Sequence, residues 1–275
     1  MTTDISQVPE GLPQHLIEAM QNKQPTGLEE MAGYIVPPRL KVVQEKKDDE
    51  RIQNCATGEV IVLPQILTVA KPGASFFFTP IYTWDEFCVH NPYRFKELPM
   101  IRERSIDSKS ELADKARNQV REQCPESDDP TKQIKYVTHL NYLMAIHGIP
   151  ELHGISVLAS FFLGEFSTGQ GLLNLIKLRT MRRVPMWGHV FEARVGQHKD
   201  KTGGFKWMGL NISNPTADAD ISAFATTNAM ILDESYYKAL EAAHEEAKAN
   251  KERIQANYED AVVESTPNVP EGDTL

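Results

Sequence analysis

Aromatic and basic side chains stand together in one predicted hairpin of the chain. Phe205 and Trp207 are two residues apart, just after a loop that carries Lys199 and Lys201. Because side chains along a strand alternate between its two faces, both rings would project opposite the apolar residues of the same strand. Exposed rings rimmed by lysines stack the bases and hold the phosphates of single-stranded nucleic acids. The alternative is that another element covers both rings.

Further cations lie where they could reach a nucleic-acid backbone. Arg182 and Arg183 end a predicted helix, where they could bind phosphates or simply complement the helix dipole. Arg39 and Lys41 alternate with apolar residues on a predicted strand, a pattern that is typical of a solvated face and also suits phosphate contacts.

A second aromatic stretch offers another pair of rings. Tyr82 and Trp84 share one face of a predicted strand, and alternation requires about half of the stretch to be core. The candidate nucleic-acid-binding residues are therefore Phe205, Trp207, Lys199, Lys201, Lys206, Arg182, Arg183, Arg39, Lys41, Tyr82 and Trp84.

The charge distribution supports this interpretation better than the total does. The 275 residues carry a net charge of -9, which by itself argues against a nucleic-acid partner. Residues 131–216, however, hold ten bases and four acids, a balance of +6, whereas residues 233–275 hold four bases and eleven acids, a balance of -7. An acidic terminus can be merely solubilising, or it can compete with DNA and contact partner proteins.

Signatures of enzymes and metal sites are weak. The stretch Gly164–Gly171 could place amides at an anion, but it lacks the Lys-Ser/Thr of a P-loop and is more typical of a turn. Three cysteines without a Cys-x-x-Cys pair predict reduced thiols, with no disulfide framework and no structural zinc. His139, His147 and His153 lack metal-ligand spacing. We therefore expect a binding protein without a catalytic centre, metal or cofactor.

The expected location is the cytoplasm. The first residues lack the basic and apolar regions of a signal peptide. The longest strongly apolar run, Ile155–Leu163, is far shorter than the ~20 residues that span a bilayer.

Strand-like segments dominate the middle of the chain. Many strands, few helices and no βαβ alternation predict an α+β, mainly β core. Helices are expected over 107–123, 170–182 and 235–257, and a hairpin pairs 185–195 with 205–212 across a nine-residue loop. The expected organisation is a flexible arm (1–34), a core (35–232) with a charged insertion (about 99–135), a C-terminal helix (233–257) and an acidic disordered tail (258–275).

The order of several segments resembles a known group of proteins. The segments are Pro38-Arg-Leu-Lys-Val-Val-Gln44, Gly58-Glu-Val-Ile-Val-Leu-Pro64, Phe76-Phe-Phe-Thr-Pro80, Pro185-Met-Trp-Gly188 and Lys201-Thr-Gly-Gly-Phe-Lys-Trp207. Together with the acidic tail, they resemble bacteriophage single-stranded DNA-binding proteins with an OB-type barrel. The resemblance covers about residues 35–215. The large insertion and the lack of a terminal aromatic residue depart from that pattern.

The resemblance implies a partly open OB-like barrel that binds single-stranded DNA without catalysis during phage replication or recombination. The acidic tail would then modulate binding and contact replication or recombination proteins, and the C-terminal helix would pack on the barrel or mediate self-association. No membrane contact is expected. The alternative is a phage virion or assembly protein that makes protein contacts and does not bind nucleic acid.

Overall fold

A computed structural model describes residues 37–45, 50–92, 98–181, 184–199, 204, 206–215 and 233–264, with side chains in the last range described up to Lys251. All of them belong to one compact unit, Pro37–Leu275. Among these residues, no helix is both long and apolar enough to cross a bilayer.

Strands outnumber helices, as an α+β, mainly β chain requires. The strands are β1 (Arg39–Val42), β2 (Val60–Leu63), β3 (Leu67–Ala70), β4 (Ser75–His90), β5 (Ile101–Ser105), β6 (Arg121–Gln123), β7 (Gln133–Ile146), β8 (Ser156–Phe161), β9 (Phe191–Lys199) and β10 (Lys206–Ser213). The helices are α1 (Glu111–Arg117), α2 (Phe166–Thr180) and α3 (Glu234–Glu264). Short 3-10 helices span Glu50–Ile52, Pro150–Leu152, Leu163–Glu165 and Met186–Gly188.

One sheet contains all ten strands, in the order β10-β9-β4-β7-β8-β1-β2-β3, with β5 added to β4 and β6 added to β7. The pairs are antiparallel except for β1 and β8, which run parallel. The long strands β4 and β7 form the centre of the sheet, because they pair with each other from Phe78–Ile146 to His90–Lys135.

An irregularity between Pro80 and Tyr82 exchanges the two faces of β4. Before it, Phe76 and Phe78 point into the main hydrophobic core. After it, Phe87 and Val89 point to that same side, under helix α1. An extra residue in one strand has this effect because the side-chain period of a strand is two. We term this side of the sheet the core face.

Helix α2 closes the main core. Leu172 and Ile176 are buried against aromatic and aliphatic side chains from β4, β7, β8 and β9. The helix approaches the sheet closely, since a Cβ atom at Gly169 would lie 2.7 Å from the Cβ of Phe161. The hydroxyl of the fully buried Tyr142 donates a 2.8 Å hydrogen bond to the carbonyl of Gly169, which fixes the helix over β7.

The opposite side of the sheet is rich in polar groups, and we term it the polar face. Directly paired residues share a face, and alternation along each strand extends the assignment. Apolar side chains such as Leu143 and Leu158 also lie on it, and its polar and aromatic members include Arg39, Lys41, Tyr82, Trp84, Glu86, Cys88, His90, Arg104, Arg121, Lys135, His139, Asn141 and Ser160.

A side-chain amide bridges two strands that are distant in the sheet order. Gln44, just after β1, donates from Nε2 to the carbonyl of Met208 on β10 at 2.8 Å. The N–H of Met208 donates back to Oε1 of Gln44 at 2.9 Å. The sheet therefore curves until β1 and β10 approach each other, although no strand ladder joins them.

Several sequence expectations need correction. The insertion is part of the sheet, since its helix spans only Glu111–Arg117 and residues 121–123 form β6. Helix α2 begins at Phe166, so most of the expected turn at 164–171 is helical. Strand β9 continues to Lys199, which shortens the hairpin loop. Helix α3 reaches Glu264, so residues 258–264 are helical, whereas residues 1–34 and 265–275 lie outside the described residues.

Candidate nucleic-acid interface

Two stacked aromatic rings lie on the polar face. The ring centroids of Tyr82 and Trp84 are 6.0 Å apart with an interplanar angle of 30°, and both side chains are half-buried. Tyr82 pairs directly with Leu143, which pairs directly with Leu158. Leu158 in turn pairs with Arg39, so this row of residues lies on one face of the sheet. The aromatic pair and the β1 cations expected from the sequence are therefore brought to one face.

Helix α3 borders this aromatic pair. His244 meets the ring of Tyr82 edge-on at 5.4 Å, and its Nδ1 donates to the carbonyl of Ile81 at 2.7 Å. Leu240, one turn earlier, is buried against Ile81 and Ala145. These contacts anchor the first half of α3 beside Tyr82 and fix the position of that ring.

Two cations on the polar face are directly opposite each other. Arg121 on β6 pairs with Lys135 on β7, and both side chains are exposed. Like charges in directly opposed positions destabilise a sheet by tenths of a kcal/mol to about 1 kcal/mol. Among the described residues, no carboxylate forms an ion pair with either side chain or with Arg39 or Lys41. This face is therefore electropositive and suited to an anion.

The hairpin of β9 and β10 also carries two cations in directly opposed positions. Lys199 and Lys206 are directly opposite and exposed. Trp207 is half-buried on the other face, where its ring lies 5.7 Å from that of His198. A Cβ atom at Gly164 would lie 2.8 Å from the same indole, so the ring packs on the chain just before α2.

The hairpin therefore divides the expected site. The apolar side of β10 faces the core, as its alternation indicates, and consists of Met208, Leu210 and Ile212. Trp207 and the two lysines point to opposite sides, which the alternation of the strand requires. The remaining candidates Phe205, Lys201, Arg182 and Arg183 lie outside the described residues.

A hydrogen-bonded network is buried in the polar face. Asn141 donates from Nδ2 to Oε2 of Glu86 at 3.2 Å, and Ser160 donates to Oδ1 of Asn141 at 2.6 Å. Arg104 forms an ion pair with the same carboxylate at 3.5 Å. The network connects β5, β4, β7 and β8, and its partners offset the cost of burying polar groups.

Next to this network lies a buried cluster of Cys88, His90 and His139. The two Nε2 atoms are 2.7 Å apart, and His139 stacks on Phe162 with the ring centroids 4.2 Å apart. Burial, together with the charges of Lys135 and Arg104, lowers the pKa of His90 to about 4. Burial lowers the pKa of His139 to about 3 and raises that of the Cys88 thiol.

The sequence alone gives little sign of this cluster. Its local signal is the pair Cys88 and His90, two residues apart, which alternation places on the same face of a strand. His139 is 49 residues away from His90, and only the register of β4 with β7 brings it alongside. The expectation that the chain lacks metal-ligand spacing therefore missed a set that spans two strands.

The glycine-rich stretch considered for anion binding has a packing explanation. A Cβ atom at Gly164 would collide with the indole of Trp207, and Gly169 is required by the close approach to Phe161. Between α1 and the start of α2, Gly164 also lines a groove of about 610 Å³ with Asp85, Arg117 and Gln170.

Glu165 is half-buried beside β10, and burial raises its pKa to about 7. Its Oε1 and the ring of His198 both lie over Gly209, each 3.3 Å from where a Cβ atom would stand. Between pH 4.5, the ordinary pKa of this carboxyl group, and about pH 7, the group is protonated in the folded state and ionised in the unfolded state. The group therefore makes folding less favourable as the pH rises through that interval.

We expect the Glu165→Gln variant to remove this dependence. The free energy of unfolding of the variant relative to the natural protein should increase between pH 4.5 and about 7 and stay constant above it. Urea unfolding at a series of pH values measures this difference. Glu103→Gln, at an exposed position on β5, is the matched control for the loss of one carboxylate. A difference for Glu165→Gln that does not change between pH 4.5 and about 7 would contradict the prediction.

Neither the protein-family models, nor the curated proteins, nor the solved structures contain a match to this chain.

Proposed function

We propose that the protein binds single-stranded DNA with little sequence preference, in phage replication or recombination, and that the polar face is its binding surface. The observation that carries the proposal is the stacked pair Tyr82–Trp84 on the same sheet face as Arg39, Lys41 and the opposed pair Arg121–Lys135. Under this proposal the curved sheet, bridged at Gln44, serves as a partly open OB-like platform for the strand.

Stacking would provide the base contacts. Every base presents a flat π-surface, so rings that stack on bases bind strands of any sequence. Trp84 is half-buried on the polar face, and its neighbour Tyr82 is held by His244, so the indole is the first ring that a base would meet. Such a contact requires an unpaired base, so the proposal predicts a preference for single strands over duplex.

Cations would provide the phosphate contacts. Placing a phosphate between Arg121 and Lys135 turns a repulsion across the strands into two attractions. Lys199 and Lys206 form another opposed pair at the end of the hairpin, but alternation places them on the side of Met208 and Leu210, outside the polar face. Arg39 and Lys41, on β1, would hold the backbone beside the aromatic pair. The expected result is an affinity that depends strongly on salt.

The acidic C-terminal region would regulate this binding. Residues 233–275 carry a balance of -7. The first half of α3 is packed beside Tyr82, so the acidic residues that follow start from a point close to the proposed DNA site. The proposal is that residues 258–275 compete with DNA for the cations and present their end to replication or recombination proteins.

The double variant Arg39→Ala, Lys41→Ala tests the proposal. Each phosphate contact on a single strand contributes about 0.7 to the slope of log affinity against log salt, so losing two should reduce that slope by about 1.4. The measurement is fluorescence anisotropy of labelled oligo-dT at salt concentrations from about 50 to about 200 mM, with duplex DNA as competitor.

The matched control is Lys71→Ala, Lys109→Ala, which removes the same charge from two exposed turn positions. It should leave the salt slope close to that of the natural protein. Equal slopes for the two double variants would mean that β1 does not contact phosphates. Absence of any oligo-dT binding by the natural protein would refute the proposed function as a whole.

A second candidate function is protein contact in a virion or an assembly intermediate. The observation that favours it is an apolar surface at the end of α2, where Leu178 is 64% exposed, Met181 80% and Val184 39%. Large exposed apolar side chains that lie together are typical of interaction surfaces. Under this function, Leu178→Ser would abolish assembly, as followed by light scattering, and oligo-dT would bind to neither protein.

A further inference from the structure

Three side chains of types that bind metal converge within the polar face. Cys88 and His90 are two residues apart on β4, and His139 lies on the adjacent strand β7, opposite Glu86. The Sγ atom and one nitrogen from each imidazole lie within 4.8 Å of one another. The exposed fractions are 0% for Cys88 and 4% for each histidine, so the sheet and its cover bury all three.

The spacing is close to that of a tetrahedral site. Zinc binds histidine nitrogen at about 2.0–2.1 Å and thiolate sulfur at about 2.3 Å, so tetrahedral geometry separates two nitrogen ligands by about 3.3 Å. The two Nε2 atoms are now 2.7 Å apart, as a hydrogen bond requires. An opening of this pair by about 0.6 Å would admit the ion between them.

The surroundings hold the three groups in place. Phe162 stacks flat on His139 and meets His90 edge-on at 5.5 Å, which fixes both ring planes. A hydrogen bond between two Nε2 atoms also requires at least one of the rings to be neutral, because one nitrogen must accept. Neutral imidazole is the form that binds a metal.

We propose that Cys88 Sγ, His90 Nε2 and His139 Nε2 bind one zinc ion, with a water molecule in the fourth position. Soft sulfur with two imidazoles is a donor set that selects zinc over magnesium or calcium. The ion would fasten β4 to β7 beneath the polar face. This site is independent of the proposed DNA binding, because none of its ligands is assigned to the DNA.

The protons and charges of the binding step can be written in full. Cys88 releases its thiol proton to solvent and binds as the thiolate, and the histidine that donates through Nε2 moves that proton to Nδ1. Arg39 and Arg104 lie close enough to act on this cluster, and they oppose a divalent ion. The thiolate and the nearby carboxylate of Glu86 offset that charge.

Cobalt titration tests the proposal directly. The full-length protein is dialysed against a chelator and titrated with Co²⁺, with absorbance recorded through the near-ultraviolet and visible range. The expected result is one equivalent of Co²⁺ with the intense visible bands of tetrahedral coordination and a near-ultraviolet thiolate-to-cobalt band, and with Zn²⁺ displacing it. Addition of Zn²⁺ should also raise the melting temperature of the chelator-treated protein.

Cysteine variants identify the ligand. Cys88→Ser should remove the thiolate band and weaken binding by more than the ~10–100-fold typical of outer-shell changes. Cys124→Ser, an equally buried cysteine in another cluster, and Cys55→Ser should both retain the band. His139→Asn should lose tetrahedral coordination, and circular dichroism checks that each variant folds.

Two results would overturn the proposal. The first is that the natural protein binds no Co²⁺ and that Zn²⁺ does not change its melting temperature. The cluster would then be a buried, hydrogen-bonded histidine pair that binds no metal. The other is a thiolate band that persists in Cys88→Ser and disappears in Cys55→Ser, which would place the metal elsewhere. Because neither measurement uses DNA, failure here would leave the proposed function unaffected.

Discussion

The Trp84→Ala variant is expected to bind oligo-dT about 5- to 150-fold more weakly than the natural protein, because stacking one base on an aromatic ring contributes about 1–3 kcal/mol. Trp84 is half-buried against Tyr82 on the polar face. Its loss should weaken binding to all single strands by a similar factor, since stacking does not discriminate between bases. The measurement is fluorescence anisotropy at a fixed salt concentration.

Two controls separate stacking from stability. Trp84→Phe retains an aromatic ring and should keep most of the affinity. Trp207→Ala removes the indole that packs on Gly164, and it should affect stability more than DNA binding. If Trp207→Ala weakens binding and Trp84→Ala does not, with both variants folded, the binding surface is the hairpin and not the polar face.

The second large effect is expected at Phe161. Its ring is 2% exposed, meets Tyr142 edge-on at 5.7 Å and lies under Gly169 of α2. Phe161→Ala should lower the free energy of unfolding by about 3–5 kcal/mol, because it leaves a cavity where helix α2 meets the sheet. Urea unfolding followed by circular dichroism provides the value.

The adjacent residue is a matched control. Phe162 points to the opposite face, is only half-buried and stacks on His139. Phe162→Ala should lower the free energy of unfolding by about 1–2 kcal/mol, since less apolar surface is removed from the interior. If Phe161→Ala does not fold, Phe161→Leu preserves most of the volume and should cost less than about 1.5 kcal/mol. Equal losses for the two alanine variants would contradict the assignment of the faces.

Local alternation was sufficient to predict which side of β1 and of β10 faces the core, although it did not predict β5 or β6. In β1, Leu40 and Val42 pack on the main core and Arg39 lies on the opposite side, as the pattern of the sequence indicates. The same holds for Met208, Leu210 and Ile212 in β10. In a half-buried strand, the alternation of apolar and polar residues itself indicates which side is apolar, so these positions can be predicted without knowing which distant residues pack on them.

Features that depend on partners distant in sequence were not predicted. Residues 121–123 continue a charged, helix-like pattern, but they pair with β7 and become a strand. Helix α2 begins at Phe166 and continues through Gly169, although glycine favours a turn. Glycine stands at this position because the helix packs so closely on Phe161 that a Cβ atom would not fit. The irregularity beside Ile81 exchanges the faces of β4, which the periodicity of a single strand does not reveal.

The candidate site shows the same division. Tyr82 and Trp84 were predicted to share a face, but that they lie on the same face as Arg39 follows from three successive strand pairs. The two opposed cation pairs follow from register alone, since Arg121 is 14 residues from Lys135 and Lys199 is seven from Lys206. An OB-like barrel remains part of the proposal, because the chain forms one partly open sheet.

The side-chain amide of Gln44 connects two strands of the curved sheet that are not paired with each other. Where β1 approaches β10, the structure describes two hydrogen bonds, both between this amide and the backbone of Met208. Two such bonds are worth about 1–3 kcal/mol, whereas separating a full strand ladder would break many more. A small change in the curvature of the polar face therefore needs only these two hydrogen bonds to break, while every strand pair stays intact.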